Sequence, residues 1–196
     1  MIGTHNSLTY DKPKKWIMNL FKGIWRCQEK NITRQIRDGV KFFDIRIVID
    51  EHGFFHSAAH GIVDLKMTET EFLLNLLEIT SNGGYFRLLV ERDECDDYEA
   101  LIETYSAFFE KSLVEIRIKN TWKLLYKNPN IKLNVKDMSF VPFAATPVWW
   151  KQWKRWKNIF GYPIKRWVKR NKTKLTEEQI NDPNVVYFVD YYNYYI

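Results

Sequence analysis

Hydrophobic and polar positions change period several times along the chain, and each change predicts an element. In "DGVKFFDIRIVID" the β-branched and aromatic run Val40–Ile49 is led by Gly39 and closed by Asp50, the pattern of a strand. Asp50 to Gly53 reads as a turn, and "FFHSAAHGIV" as the next strand. In "TETEFLLNLLEITSNGG" the spacing becomes helical: Thr68 is the N-cap, Glu71 takes the capping-box position and Gly83 is the stop. "YFRLLVERD" then predicts a strand, about 96–111 an amphipathic helix, and "NVVYFVDYYN" a final strand. Between them, "LVEIRIKN" and "SFVPFAATPV" look strand-like, with a helical "TWKLLYKN" separating the two.

Strands alternating with helices of this length favour an α/β fold with a parallel sheet or barrel. Five to seven strands fit the length, whereas eight full units would be cramped, since an eightfold barrel takes about 250 residues. A hydrophobic share of 45% over 196 residues suffices for one core, so residues 1–196 are read as a single domain. Cys27 and Cys95 form no CxxC pattern, so neither a zinc site nor a disulfide framework is indicated. No run of eighteen apolar residues and no signal-peptide pattern occurs, so a soluble chain is expected and no compartment is assigned.

The net charge of +6 is unevenly placed. Between Val148 and Lys174 stand ten Lys or Arg and no acidic residue, leaving 20 basic against 24 acidic residues elsewhere. One basic patch on a mildly acidic body points to a single anionic surface as partner.

Polar residues within strand patterns are the candidates for chemistry, because α/β barrels expose them at the carboxyl ends of their strands. Asp44 and Arg46 are two residues apart and share a strand face opposite Phe43 and Ile45. His60 ends a strand just before Gly61, and Glu91 ends an apolar run. Each alone has an ordinary structural explanation, as an ion pair or a strand-end histidine. With His5 near the start of the chain they make an acid/base set around a cation.

"IGTHNSLTY", then "CQEKNITRQIRDGVKFFDIRI", then "HG" after a further strand resembles the X-region of the phosphatidylinositol-specific phospholipase C family. The likeness covers roughly residues 2–94, and "VVYFVDY" resembles the closing barrel strand with its aspartate at Asp190. The resemblance implies a distorted or incomplete TIM (β/α) barrel. It also implies a phosphoric diester hydrolase or lyase that cleaves phosphatidylinositol to diacylglycerol and inositol 1,2-cyclic phosphate. His5 would then be the general base for the inositol 2-hydroxyl, and His60 the general acid for the departing oxygen. Arg46 would stand where the calcium-dependent branch binds its ion, and Asp190 would orient His5. These residue types suit the reaction: imidazole, with an unperturbed pKa of about 6.5, serves either as base or as acid near neutrality. A guanidinium bonds two phosphoryl oxygens at once.

Two departures from the family pattern qualify the expectation. Asn6 stands where the arginine-using bacterial enzymes carry Asp, so it supplies no charge to hold a proton on His60. Asn6, Asp44 and Glu91, expected at the substrate, would be the alternative calcium ligands, but three oxygens are few for Ca²⁺. No cofactor or metal is therefore expected, with Glu91 pairing Arg46 instead. Only Met1–Thr4 precede His5, so most of a first strand should be missing and its neighbours should keep an unpaired edge. A catalytically impaired relative that binds anionic lipid or inositol phosphate is the alternative.

"PVWWKQWKRWKNIFGYPIKRWVKRNK" holds five of the eight tryptophans. Trp149, Trp153 and Trp156 recur at near-helical spacing among lysines, which suits a helix lying in an anionic bilayer interface. The same stripe also fits a core-facing barrel helix. Interleaved aromatics and cations suit single-stranded nucleic acid too, but no nucleic-acid module accompanies them. The expected partners are thus phosphatidylinositol or a related phospholipid and an anionic membrane surface, with the protein a peripheral monomer.

Overall fold

The computed structural model describes residues 1–92, 95, 97–138 and 174–195. Strand β1 (Ile2–Thr4) is followed by a 3₁₀ turn (Trp16–Phe21), α1 (Lys22–Trp25), α2 (Ile32–Arg37) and β2 (Val40–Ile49). Then come β3 (Phe55–His60), β4 (Val63–Asp64), α3 (Glu69–Ser81), β5 (Tyr85–Arg92), α4 (Glu99–Phe109) and β6 (Leu113–Ile118). β7 (Leu124–Lys127), β8 (Asn134–Asp137), α5 (Glu177–Asn181), β9 (Val185–Val189) and a second 3₁₀ turn (Tyr192–Tyr194) complete the described elements.

The strands form one curled sheet ordered β7-β6-β5-β2-β1-β9-β8, with β3 and β4 branching from β2. β6, β5, β2, β1, β9 and β8 run parallel, whereas β3 and β7 return antiparallel on β2 and β6. This is an incomplete TIM-type barrel. Its first strand is short: three residues of β1 bridge Val40–Phe43 of β2 and Tyr187–Val189 of β9, so both neighbours are paired along this span. Gly3 makes the bridge possible, because a Cβ there would stand 2.7 Å from Val186 Cγ1 and 2.9 Å from the Phe188 ring.

Alternation on β2 divides its residues between two environments. Phe43, Ile45, Ile47 and Ile49 join the main core under the helices. Phe42 on the other face meets Val114, Val186 and Phe188, an apolar plug at the base of the barrel interior. Asp44 and Arg46 stand above that plug, buried. The helices follow their sequence signals. Thr68 and Glu71 close a capping box on α3, and Gly83 leaves the helix at φ +66°. α3 buries Phe72, Leu76 and Ile79 at helical spacing, each contributing about 2 kcal/mol, and Phe72 stacks on Phe55 at 4.4 Å. α4 buries Leu101, Tyr105 and Phe109 in the same way.

Two readings of the sequence differ from this. "TWKLLYKN" is not helical, because Leu124–Lys127 is strand β7, paired to β6. The polar segment Asn134–Asp137, in which no strand was expected, is β8. The strand-like "SFVPFAATPV" and the stretch with Trp149, Trp153 and Trp156 lie outside the described residues.

Candidate active site

The site forms where β1 stops. Thr4 pairs with Phe43, so His5 emerges level with Asp44, and β2 continues beyond it for several residues. Asp44 and Arg46 therefore stand mid-strand rather than at the strand end anticipated from the pattern. The outer part of β2 is occupied by β3, which pairs Ile47 with Ala58 and runs back toward the same level. His60, the last residue of β3, is thereby returned beside His5. The two rings have centroids 6.3 Å apart and planes at 82°.

His5, His60 and Asp190 are each followed by a left-handed residue. Asn6 follows His5 at φ +49°, Gly61 follows His60 at +60°, and Tyr191 follows Asp190 at +48°. The chain thus turns away as soon as the side chain has been placed.

His5 is held from both nitrogens. Its Nδ1 lies 2.8 Å from Asp190 Oδ1, and Arg46 Nη2 meets its Nε2. A guanidinium only donates, so Nε2 is the acceptor and the ring proton sits on Nδ1, toward Asp190. Gln28 braces this corner by donating to the carbonyls of His5 (3.1 Å) and Val189 (3.0 Å).

Arg46 is the hub. Its Nε donates to Asp44 Oδ2 and its Nη1 to Glu91 Oε1, both at 2.8 Å. Arg87 Nε donates to Asp44 Oδ1 at 2.7 Å, the Asn6 amide to Oδ2 at 3.2 Å, and Lys119 to Glu91 Oε2. Burial would raise both carboxyl groups, but Arg46 in each case, joined by Arg87 at Asp44, holds them below the usual carboxylate range. Burial likewise disfavours the charged guanidinium, but Asp44 and Glu91 outweigh it and raise the pKa of Arg46. This arrangement bears on the alternative calcium set. All four oxygens of Asp44 and Glu91 already accept from cationic side chains, so Asn6, Asp44 and Glu91 do not fit a calcium site while Arg46 lies between the two carboxylates.

His60 is held differently. Its Nδ1 meets the Trp25 carbonyl, which can only accept, so a neutral ring carries its proton there and leaves Nε2 as the acceptor. Desolvation first, and the charge of Arg46 second, push its pKa down to about 4. In the ligand-free protein His60 is therefore neutral near pH 7, not the protonated partner that an unperturbed imidazole would allow.

Cys27, to which the sequence assigned no role, is buried at this corner. Its Sγ lies 3.7 Å from Asn6 Nδ2 and 4.0 Å from His60 Nδ1, and burial, reinforced by Asp190, pushes its thiol well up. Its only sequence signal is its place in "CQEKN", just before Gln28. Trp149, Trp153 and Trp156 are not among the residues described.

The polar cluster can accept a proton at His5 Nε2 and neutralise an anion at Arg46. Two of the five guanidinium N–H groups remain beyond the three bonds made to described residues.

No protein-family model and no curated protein matches the chain. Among solved structures it is similar to the phosphatidylinositol-specific phospholipase C of Listeria monocytogenes, with TM-score 0.56 and 14% identity over 97% of this chain and 87% of that one. An F249X mutant of the Staphylococcus aureus phosphatidylinositol-specific phospholipase C also aligns, with TM-score 0.48 and 16% identity over 99% and 76% of the two chains. The chain thus has the fold of the Listeria phosphatidylinositol-specific phospholipase C, an incomplete barrel with the His5–Asp190 pair and Arg46 at its mouth.

Proposed function

We propose that the protein is a phosphoric diester hydrolase or lyase that cleaves phosphatidylinositol at a membrane surface, giving diacylglycerol and inositol 1,2-cyclic phosphate. The observation that carries this reading is that His5, fixed in one tautomer by Asp190 and Arg46, stands 6.3 Å from the His60 ring.

In this reading His5 Nε2 exchanges its bond to Arg46 for the inositol 2-hydroxyl and takes its proton. The 2-oxygen attacks phosphorus, the bond from phosphorus to the glycerol oxygen breaks, and that oxygen receives a proton from His60 Nε2. Asp190 stabilises the imidazolium that forms on His5. Arg46 spans the equatorial oxygens with the N–H groups not used by Asp44 and Glu91. His60 must be protonated first, and the charge of a bound phosphodiester is what raises its pKa from about 4. Arg46 supplies the positive charge that a metal would supply, so the reaction is read as metal-independent.

The test is release of inositol cyclic phosphate from phosphatidylinositol vesicles, with and without chelator. Turnover unaffected by chelator is expected. The low pKa of His60, which the charge of Glu91 does not offset, favours one second reading: a catalytically impaired relative that binds anionic lipid or inositol phosphate. Vesicle binding without turnover would establish that reading in place of the first.

A further inference from the structure

Cys27 is the group at this corner that the reaction scheme leaves unused. One donor atom from each of His5, Cys27 and Asp190 lies within 4.8 Å of the other two. The His5 nitrogen that faces Asp190 is Nδ1, 2.8 Å from Oδ1. Cys27 and Asp190 are buried, whereas the His5 side chain is 12% exposed, so the cluster is reached past the edge of that ring. Asn6 Nδ2 lies 3.7 Å from the Cys27 sulfur, and Asn6 Oδ1, also buried, has no hydrogen-bond partner among the described residues. The same corner therefore holds an unused oxygen donor.

We propose that His5, Cys27 and Asp190 form an inhibitory zinc site. The donor set selects the ion. One imidazole nitrogen, one thiolate and one carboxylate oxygen suit Zn²⁺, whereas Ca²⁺ and Mg²⁺ are held by oxygens. With bonds of about 2.0–2.3 Å, donors around a tetrahedral zinc stand about 3.3–3.8 Å apart, so the cluster needs shifts of about 1 Å or less. The thiolate and the carboxylate balance the dication, so binding adds no net charge beside Arg46. Asn6 Nδ2 can donate to the thiolate, and a water can fill the fourth position.

In the metal-free protein burial keeps the Cys27 thiol protonated, and the His5 ring proton sits on Nδ1. Zinc takes both places. The thiol proton leaves to solvent, the Nδ1 proton passes to Nε2, and bonds form from the metal to Sγ, Nδ1 and a carboxylate oxygen of Asp190. His5 Nε2 then carries a hydrogen toward Arg46 and has no lone pair for a substrate hydroxyl. Asp190 is withdrawn from Nδ1 in the same event. The inhibition rests on the reaction proposed above, whereas the metal site does not.

Cadmium, a spectroscopic stand-in for zinc, is titrated into the whole reduced protein freed of metal. A thiolate-to-cadmium charge-transfer band should appear stoichiometrically, be lost in C27A and C27S, and persist in C95S. Calorimetry with zinc should show C27A weakening binding by about 100-fold or more. Zinc should stop release of inositol cyclic phosphate by the unmodified protein, with chelator restoring it, and should not do so in C27A. The absence of a band, or a band that survives both Cys27 variants, overturns the site. Equal zinc affinity in C27A also overturns it and moves the ion to other groups, such as the exposed His52 and His56. Zinc binding without loss of turnover overturns the inhibitory role. If the protein cleaves nothing, the band and the calorimetry still decide the site, because neither uses substrate, so failure of the site and failure of the proposed reaction are read separately.

Discussion

Arg46 donates to the same His5 nitrogen that would take a substrate proton, while Asp190 holds the other nitrogen. The ring therefore waits with its lone pair directed at the cation. Asp190→Asn can donate an amide hydrogen to Nδ1 and so favours the opposite tautomer, whose Nε2–H would face the guanidinium. Turnover should fall by about 10²- to 10⁴-fold with the fold retained. Nitrogen-15 NMR of the imidazole reads the tautomer directly, and an unchanged Nε2 signal would remove this account of Asp190.

Arg46→Lys keeps a charge and loses the fork. A single ammonium cannot serve Asp44, Glu91 and His5 with the geometry of three separate N–H groups. Two buried carboxylates would be left underpaired, so unfolding free energy should drop by about 3 kcal/mol. Cleavage should fall by more than about 100-fold. Chemical denaturation and vesicle assays check the two effects separately.

The depressed pKa of His60 has a defined sign. The unfolded chain takes up this proton below about pH 6.5, whereas the folded protein takes it up only near 4, so the unfolded state binds more protons between them. The contribution of His60 therefore costs nothing above pH 6.5, and stability is lost as pH falls through this window. The loss amounts to roughly 3 kcal/mol by pH 4. His60→Gln should remove that part of the pH dependence, as measured by denaturant titration at several pH values. An identical pH profile in the variant would contradict the burial argument.

Chelation and calcium should both leave cleavage unchanged, because Arg46 already bonds the carboxylates that calcium would need. Loss of activity in chelator, restored by calcium, would reverse this expectation. Glu91→Ala is the complementary probe: it should reduce stability by leaving Arg46 and Lys119 without a shared carboxylate, and it should create no requirement for a metal.

Gly3→Ala tests the short first strand. The added methyl meets Val186 and Phe188 at distances that packed side chains do not tolerate, so β1 or the basal plug must shift, at about 1–3 kcal/mol. Thermal unfolding measures the cost, and an unperturbed melting temperature would mean that β1 is not pinned there.

Much of the frame was legible in sequence because local signals and tertiary packing agree. Val40–Ile49 is β-branched on both faces, and Thr68 with Glu71 builds its cap without help from elsewhere. Where they disagree, the pattern misleads. Leu124 is 41% exposed, and Leu124–Lys127 is a strand because it pairs with β6, a relationship that spacing within "TWKLLYKN" cannot reveal. Asn134–Asp137 has no apolar alternation and is ordered by backbone bonds to β9. The residue types at the site were visible, but the level at which they meet was not, since it depends on the hairpin that carries His60 back along β2.

The left-handed residues that follow His5, His60 and Asp190 separate two engineering problems. Each of these side chains is set by the sheet before its loop departs, so the loops can be rewritten while the three groups stay registered to one another. Asn6 and Tyr191, which adopt this backbone shape without being glycine, are the two joints such a redesign should leave alone.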